Sequence, residues 1–242
     1  MPIQDTHKSY ADMRPRWRLN RAAVAGQDAV KREKTLFLPD DSANDPTPTA
    51  RDRYARYLMR ATWLKVAGYT KEGLIGMVFR LPPAVKLPSA LEYMQENADG
   101  AGGSLTEFAR LAAGENVEVG RLGILTDYPA SETGLSRAQI AERKLQARLT
   151  LYRAESIDHW KTELIGGVTK LVMVKLCEIA SREIDEFSAE DTTQYRVLRL
   201  RDGVYTQAVY DDEGKVVVEE FAPKANGRTL DHIPFQFVGA ET

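Results

Sequence analysis

A chain of 242 residues with 43% hydrophobic and 28% charged side chains can bury a core of its own, as one large unit or two small ones. Thirty-three basic and 35 acidic residues leave a net charge of −2, which excludes a global basic bias toward nucleic acid but leaves room for a locally basic face. One cysteine, Cys177, excludes an intramolecular disulfide. Its place in the apolar run VMVKLCEIA reads as a buried small hydrophobe in a reducing compartment. The N-terminal MPIQDTHKSYADM has no apolar signal core and no apolar run reaches the length of a membrane span, so a soluble chain is expected.

The first helix is expected to start at Asp12 as cap, with Pro15 in its first turn. Met13, Trp17, Ala22, Ala23, Val24 and Val30 form its apolar stripe, opposite Arg14, Arg18, Arg21, Lys31 and Arg32. A polar, Pro-rich loop follows over 39–49, and Thr49 with Asp52 signals the next helix start. That helix turns Tyr54, Leu58, Ala61 and Leu64 inward and stops at Gly68. A short helix from Thr70, EGLIGMVF, is apolar nearly all round and is expected deep inside. Pro82, Pro83 and Pro88 make an extended link, Ser89 opens a short helix, and the loop Asp99–Gly103 closes it. Ser104 with Glu107 is a full capping box, and Leu105, Phe108, Leu111 and Ala112 face inward behind it.

Past Gly120 the pattern changes to strands. Ile124–Thr126 and Leu149–Tyr152 read as strands, separated by a helix opened by the Ser136/Gln139 capping box. Ile157–Leu164 and Val168–Leu176 flank Gly166-Gly167, a two-residue hairpin signal. An acidic loop is expected over Glu183–Asp191. Tyr195–Leu200, Val204–Tyr210 and Val216–Phe221 form an antiparallel meander, and Ile233–Val238 is a last strand. The fold class is α+β, with a helical part over 1–120 packed on one mostly antiparallel sheet over 121–242.

Catalytic chemistry has little to attach to. His7, His159 and His232 stand in three unrelated contexts, so no metal site and no cofactor is expected. The glycines of 100–103 precede a helix but follow no strand and lack the phosphate-loop lysine. Asp127 ends an apolar strand and reads as a turn residue capping strand-end amides; the alternative is a catalytic carboxylate in a cleft beside Tyr128. Trp17, Tyr54, Tyr57 and Trp63 interleave with Arg14, Arg18, Arg51, Arg53, Arg56 and Arg60, which also admits a nucleic-acid-binding module. The favoured reading gives those arginines to subunit contact. Arg51, Arg53, Arg56 and Arg60 make a basic edge, and Asp185, Glu186, Asp211 and Asp212 an acidic one, suited to head-to-tail packing of copies.

Several stretches in order carry a family resemblance: Trp17-Arg-Leu-Asn-Arg with Gly26, Gly73-Leu-Ile-Gly-Met-Val-Phe-Arg with Pro82-Pro83, Asp99-Gly100, and Ser104-Leu-Thr-Glu-Phe-Ala-Arg. They continue with Gly120-Arg-Leu-Gly-Ile-Leu-Thr-Asp-Tyr-Pro129, Tyr152-Arg-Ala-Glu-Ser-Ile-Asp-His-Trp160, Gln194-Tyr-Arg-Val-Leu, Asp202-Gly-Val-Tyr205 and Ile233-Pro-Phe-Gln-Phe-Val-Gly239. Over nearly its whole length the chain resembles a family of tailed-bacteriophage structural proteins that look like portal, or head-to-tail connector, subunits. The resemblance implies a non-enzymatic ring, commonly of twelve copies, at a capsid vertex of the virion, assembled in the host cytoplasm. Capsid, terminase and neck proteins would be its partners, and DNA would pass through without sequence-specific binding. Family members are generally longer, so the chain corresponds to the N-terminal wing, without the stem, clip and crown. No DNA-contact or catalytic residue carries over.

Overall fold

The computed structural model describes residues 3–45, 47–128, 139, 146–225 and 227–240. Five α-helices precede all the strands, so the architecture is α+β as the pattern predicts. Helix α1 (Lys8–Ala25) begins a turn before Asp12. His7 is its cap, and the His7 Nδ1 accepts from the Ser9 amide at 3.1 Å. Tertiary contacts hold the extra turn: His7 N donates to the Asp158 carbonyl at 2.8 Å, and the Tyr10 hydroxyl donates to the Glu155 carbonyl at 3.0 Å. Pro15 consequently lies inside the helix. Gly26 separates α1 from α2 (Gln27–Arg32), whose Val30 joins Trp17 and Ala22 among the buried residues.

Helix α3 (Pro48–Arg60) is capped by Thr47, whose side chain accepts from the Ala50 amide, with Pro48 as first helical residue. The start signal is therefore two residues upstream of Thr49, and the helix ends before Leu64. Gly68 does not stop a helix; it sits within α4 (Val66–Val78) and is buried. A Cβ there would lie 2.6 Å from the Val24 carbonyl oxygen, so the glycine lets α4 approach the backbone of α1. Helix α4 is not deeply buried either. Only Gly68 and Ile75 are covered, while Tyr69, Leu74, Met77 and Val78 face outward. Helix α5 (Leu105–Val119) carries both halves of the Ser104/Glu107 capping box and ends at Gly120 in the left-handed conformation. Phe108 is buried as expected, but Leu111 is exposed.

The strands divide into two main sheets where the sequence suggested one. β1 (Arg121–Asp127) is flanked by β2 (Arg148–Arg153) and β10 (Phe235–Gly239), both antiparallel. β3 (Ile157–Ile165), β4 (Val168–Asp185), β5 (Ser188–Arg201), β6 (Val204–Asp211) and β7 (Val216–Phe221) form a five-stranded meander. A short ribbon, β8 (Lys224–Ala225) with β9 (Arg228–Thr229), bridges toward β10. The main core lies between the sheets: Leu125, Tyr152 and Phe235 meet Ile157, Leu176 and Leu198. Two hairpins turn where predicted, with positive φ at both Gly166-Gly167 (61° and 80°) and Asp202-Gly203 (50° and 73°), the geometry that matches strand twist. The capping box at Ser136 and the helix expected after it lie outside the described residues, apart from Gln139.

The acidic stretch Glu183–Asp191 is not a loop. β4 and β5 continue through it as a paired hairpin, with Glu183 opposite Ala189. The turn is closed by Asp185, whose Oδ1 accepts from the Phe187 amide at 2.9 Å and whose other oxygen accepts from the Ser188 hydroxyl. Local side-chain bonds of this kind let a charged tetrapeptide make a tight turn.

Candidate subunit interface

The four arginines of the basic edge sit on α3 and all face solvent. Arg53, Arg56 and Arg60 fall at i, i+3 and i+7 and share one face. Arg53 donates to the Ser42 hydroxyl, Arg56 to the Asp52 carbonyl and Arg60 to the Arg56 carbonyl, each at 3.3 Å. None of the four forms an ion pair among the described residues. The opposite side of α3 is anchored by buried Ala50 and by the Tyr54 hydroxyl, which donates to the Leu38 carbonyl at 2.9 Å.

The acidic edge is split in two. Asp185 and Glu186 occupy the tip of the β4–β5 hairpin. Asp211 lies at its root, opposite Gln194, and its carboxylate accepts from the Glu213 and Lys215 amides at 3.1 and 2.7 Å. That oxygen shapes the β6–β7 turn, so Asp211 is a turn residue. The Asp212 carbonyl is tied to the Gln4 side chain at 2.8 Å. The tip carboxylates, with Glu183, Glu190 and Asp191, and the Asp212 carboxylate at the β6–β7 turn stand in solvent and form no ion pair among the described residues.

Other charges are spent inside the protomer. Arg21 on α1 reaches Glu115 at 2.6 Å, Glu118 at 3.0 Å and Glu155 at 2.9 Å, and Lys71 on α4 also pairs with Glu118. Burial alone would lower the Arg21 guanidinium, but the hydrogen bonds it donates to Glu155 and Glu115, with their charges, raise it well above its ordinary value. Lys175 is buried, 3.2 Å from Asp158, and donates to the Ile3 and Asp5 carbonyls, pinning the N-terminal segment across β4. Glu178 gathers the root of the hairpin: it accepts from the Tyr152 hydroxyl at 2.6 Å, Arg196 at 2.8 Å and Gln194 at 3.2 Å. Beside it Cys177 is half-buried, and burial pushes its thiol up, toward the unreactive protonated form.

One buried cation gives no sequence signal. Arg121, 3% exposed, has its guanidinium carbon 3.9 Å from the Trp160 ring centre and 4.8 Å from that of Phe237. Its Nε and one Nη lack hydrogen-bond partners, and burial lowers it to about 10. Aromatic faces hold the charge in place of a carboxylate. Only the alternation of β1, which places Arg121 on the core side with Gly123 and Leu125, could have hinted at it.

His7 stacks on the same Trp160 at 3.9 Å. Burial first, then the Arg121 charge, holds His7 below its ordinary 6.5. The unfolded chain therefore takes up that proton first, and the stability contributed by neutral His7 is complete above pH 6.5 and lost as pH falls below it. Protonated Nδ1 can no longer accept from Ser9, so the start of α1 loosens. His7→Asn, which caps without titrating, should flatten part of the decline in melting temperature between about pH 7.5 and about pH 5.5. An unchanged slope would assign the decline to His159 alone, whose pKa burial also lowers.

The remaining candidates are placed as follows. Asp127 is buried and pairs with Arg148 at 2.7 Å across β1–β2; the amides it was expected to cap, from Pro129 onward, lie outside the described residues. In the 99–103 loop the amides a phosphate would need are taken: Asp99 Oδ1 accepts from Ala101 and Gly103, and Asn97 accepts from Gly102. Trp17 is buried, Tyr54 and Trp63 are half-buried, and Tyr57 is the exposed member of the aromatic set. Among the described residues no three His, Cys, Asp or Glu converge on a metal position, and no helix is long and apolar enough to cross a membrane. No family model matches this chain, and no curated protein matches it.

Proposed function

We propose that the chain is a structural subunit that assembles with copies of itself into a ring, the wing part of a phage portal-like connector. The observation that carries the reading is the segregation of unspent charge. The arginines of α3 and the carboxylates at the hairpin tip belong to elements far apart in sequence, both exposed, and neither set forms an ion pair among the described residues. Unlike surfaces on one protomer fit head-to-tail contact, which closes into a ring when the rotation permits. The ordered motifs described above supply the phage context: a virion vertex, with capsid, terminase and neck proteins as neighbours and DNA passing through.

Arg53→Glu with Arg56→Glu should weaken self-association at least tenfold by sedimentation velocity, and high salt should weaken the wild type in the same direction. Particle imaging of the protein, together with any residues that follow Thr242, should show closed rings with a central hole. Monomers alone would overturn the reading.

A second reading rests on a separate groove of about 680 Å³ lined by Arg14, Arg18, Arg21 and Arg32 with Glu33 and Glu155. A polyanion strand would suit the two of these arginines, Arg14 and Arg32, that make no ion pair among the described residues. It is favoured if duplex DNA binds with a steep salt dependence that collapses on replacing Arg14 and Arg32, with self-association untouched.

A further inference from the structure

The β4–β5 hairpin outruns its neighbours. β3 pairs with β4 only as far as Leu176, and β6 pairs with β5 only from Gln194 onward. Beyond Glu178 and Gln194 the two strands have each other alone, and residues 183–191 are exposed without exception. Seven residues of β4 and six of β5 at ~3.3 Å each make an arm about 20 Å long. A free two-stranded ribbon is at best marginal in water. This one also carries apolar side chains where water should favour polar ones: Phe187 at the turn is 92% exposed, Ile179 75% and Ile184 64%. Those side chains contribute nothing to the protomer they belong to. They gain burial only against something else.

A complementary surface exists on the helical layer. The outer face of α4 presents Val66, Tyr69 and Met77 to solvent. Between Tyr69 and Met77 lie Gly73 and Gly76, where an added Cβ would meet nothing within 4 Å. The result is an apolar shelf with a shallow gap, continuous in sequence with the arginines of α3. The arm carries Glu183, Asp185, Glu186, Glu190 and Asp191 against one arginine. Helix α3 carries four arginines against one aspartate. Two acidic arms repel one another, so the arm's charge selects the basic helical layer over a second arm.

We propose that the β4–β5 arm of one copy docks on the α3–α4 surface of a neighbouring copy, Phe187 and Ile184 covering the Gly73 gap and the arm's carboxylates meeting Arg53 and Arg56. This rests on the self-assembly reading above and specifies its contact. The contact is heterologous: each copy offers one arm and one shelf.

Two single-surface variants test it by sedimentation velocity. Phe187→Ser with Ile184→Ser alters only solvent-facing positions and should lower self-association at least tenfold with the melting temperature kept. Gly73→Gln fills the gap; it should raise helix stability, since glycine is a poor helix residue, while lowering self-association to the same degree. A charge swap supplies the positive control. Copies with Glu183, Glu186 and Glu190 changed to lysine, and copies with Arg53 and Arg56 changed to glutamate, should each fail to assemble alone and assemble when mixed. Association unaffected by either single-surface variant, or no rescue on mixing, overturns the arm contact. Rings that persist in the arm variant overturn it while leaving the ring reading in place. Arm-dependent dimers or open chains without closed rings uphold the arm contact and overturn the ring. A wild type that stays monomeric at millimolar concentration overturns both.

Discussion

Replacing Gly123 by alanine should destabilise the fold by about 3 kcal/mol, at the upper end of what overpacking a core costs. Gly123 lies in β1, the middle strand of its sheet, paired with Phe237 on one side and Tyr152 on the other. Its missing side chain is what lets the three-stranded sheet close on the meander. An added Cβ would lie 2.1 Å from the Phe235 ring and 2.9 Å from the Ile157 Cδ1, both buried. The ring cannot swing aside freely, because it packs against Phe237 at 5.2 Å and Tyr152 at 6.1 Å between centres. For a chain of this size the loss should appear as roughly 6–12 °C in melting temperature. Phe235→Leu in the same background should recover part of it, since the smaller side chain vacates the space, although Phe235→Leu alone is destabilising. Additive losses in the double variant would show that the ring does not lie over the glycine.

Local chemistry made much of the fold legible in the sequence. The Ser104/Glu107 capping box, the Gly166-Gly167 and Asp202-Gly203 turns and the strands of the meander each follow from residues within a few positions of one another. What could not be read is set by partners distant in sequence. The pairing of β10 with β1 joins Gly239 to Arg121 and splits one expected sheet into two. The helix cap at His7 depends on the Asp158 carbonyl, which arrives from β3. Helix α4 misleads because its composition signals burial, whereas burial is decided by what packs on it, and this protomer covers one side only. The acidic stretch misleads in the opposite sense: charge suggested a loop, yet Asp185 closes a turn and the strands run on. Of the candidate interface residues, Arg51, Arg53, Arg56, Arg60, Asp185, Glu186 and Asp212 are exposed as a contact surface requires, whereas Asp211 looks identical in sequence but spends its carboxylate on the β6–β7 turn.

Arg21→Met should cost about 3 kcal/mol, near the lower limit for breaking a buried ion pair. Arg21 is the point where α1, α5 and the 3-10 turn before β3 are tied together, through Glu115, Glu118 and Glu155. Removing the guanidinium leaves Glu115 and Glu118 almost wholly buried with reduced compensation. Lys71 still serves Glu118, and Arg153 still approaches Glu115 at 3.5 Å, which keeps the loss from being larger. The pH dependence separates lost pairing from lost packing. Burial raises the Glu155 carboxyl, but the hydrogen bond and charge of Arg21, with a backbone hydrogen bond and the Arg153 charge, together hold it below its ordinary 4.5. A depressed acid contributes stability that is complete above its unfolded value and lost as pH falls through the folded one. Wild type should therefore lose this contribution as pH falls below 4.5, and the variant, in which Glu155 no longer has Arg21 to hold it down, should fall less. The gap between their melting temperatures should narrow as acid is added. Adding Glu115→Gln and Glu118→Gln to Arg21→Met should recover stability at neutral pH, because neutral amides cost less to bury than unpaired carboxylates. A gap independent of pH would mean that the Arg21 stem, not its charge, holds the helices to the sheet. The clamp also bears on assembly, because the proposed arm belongs to the sheet and its receptor to the helices. Loosening Arg21 lets the two move independently within each copy, so self-association should weaken in the variant even at temperatures where it remains folded.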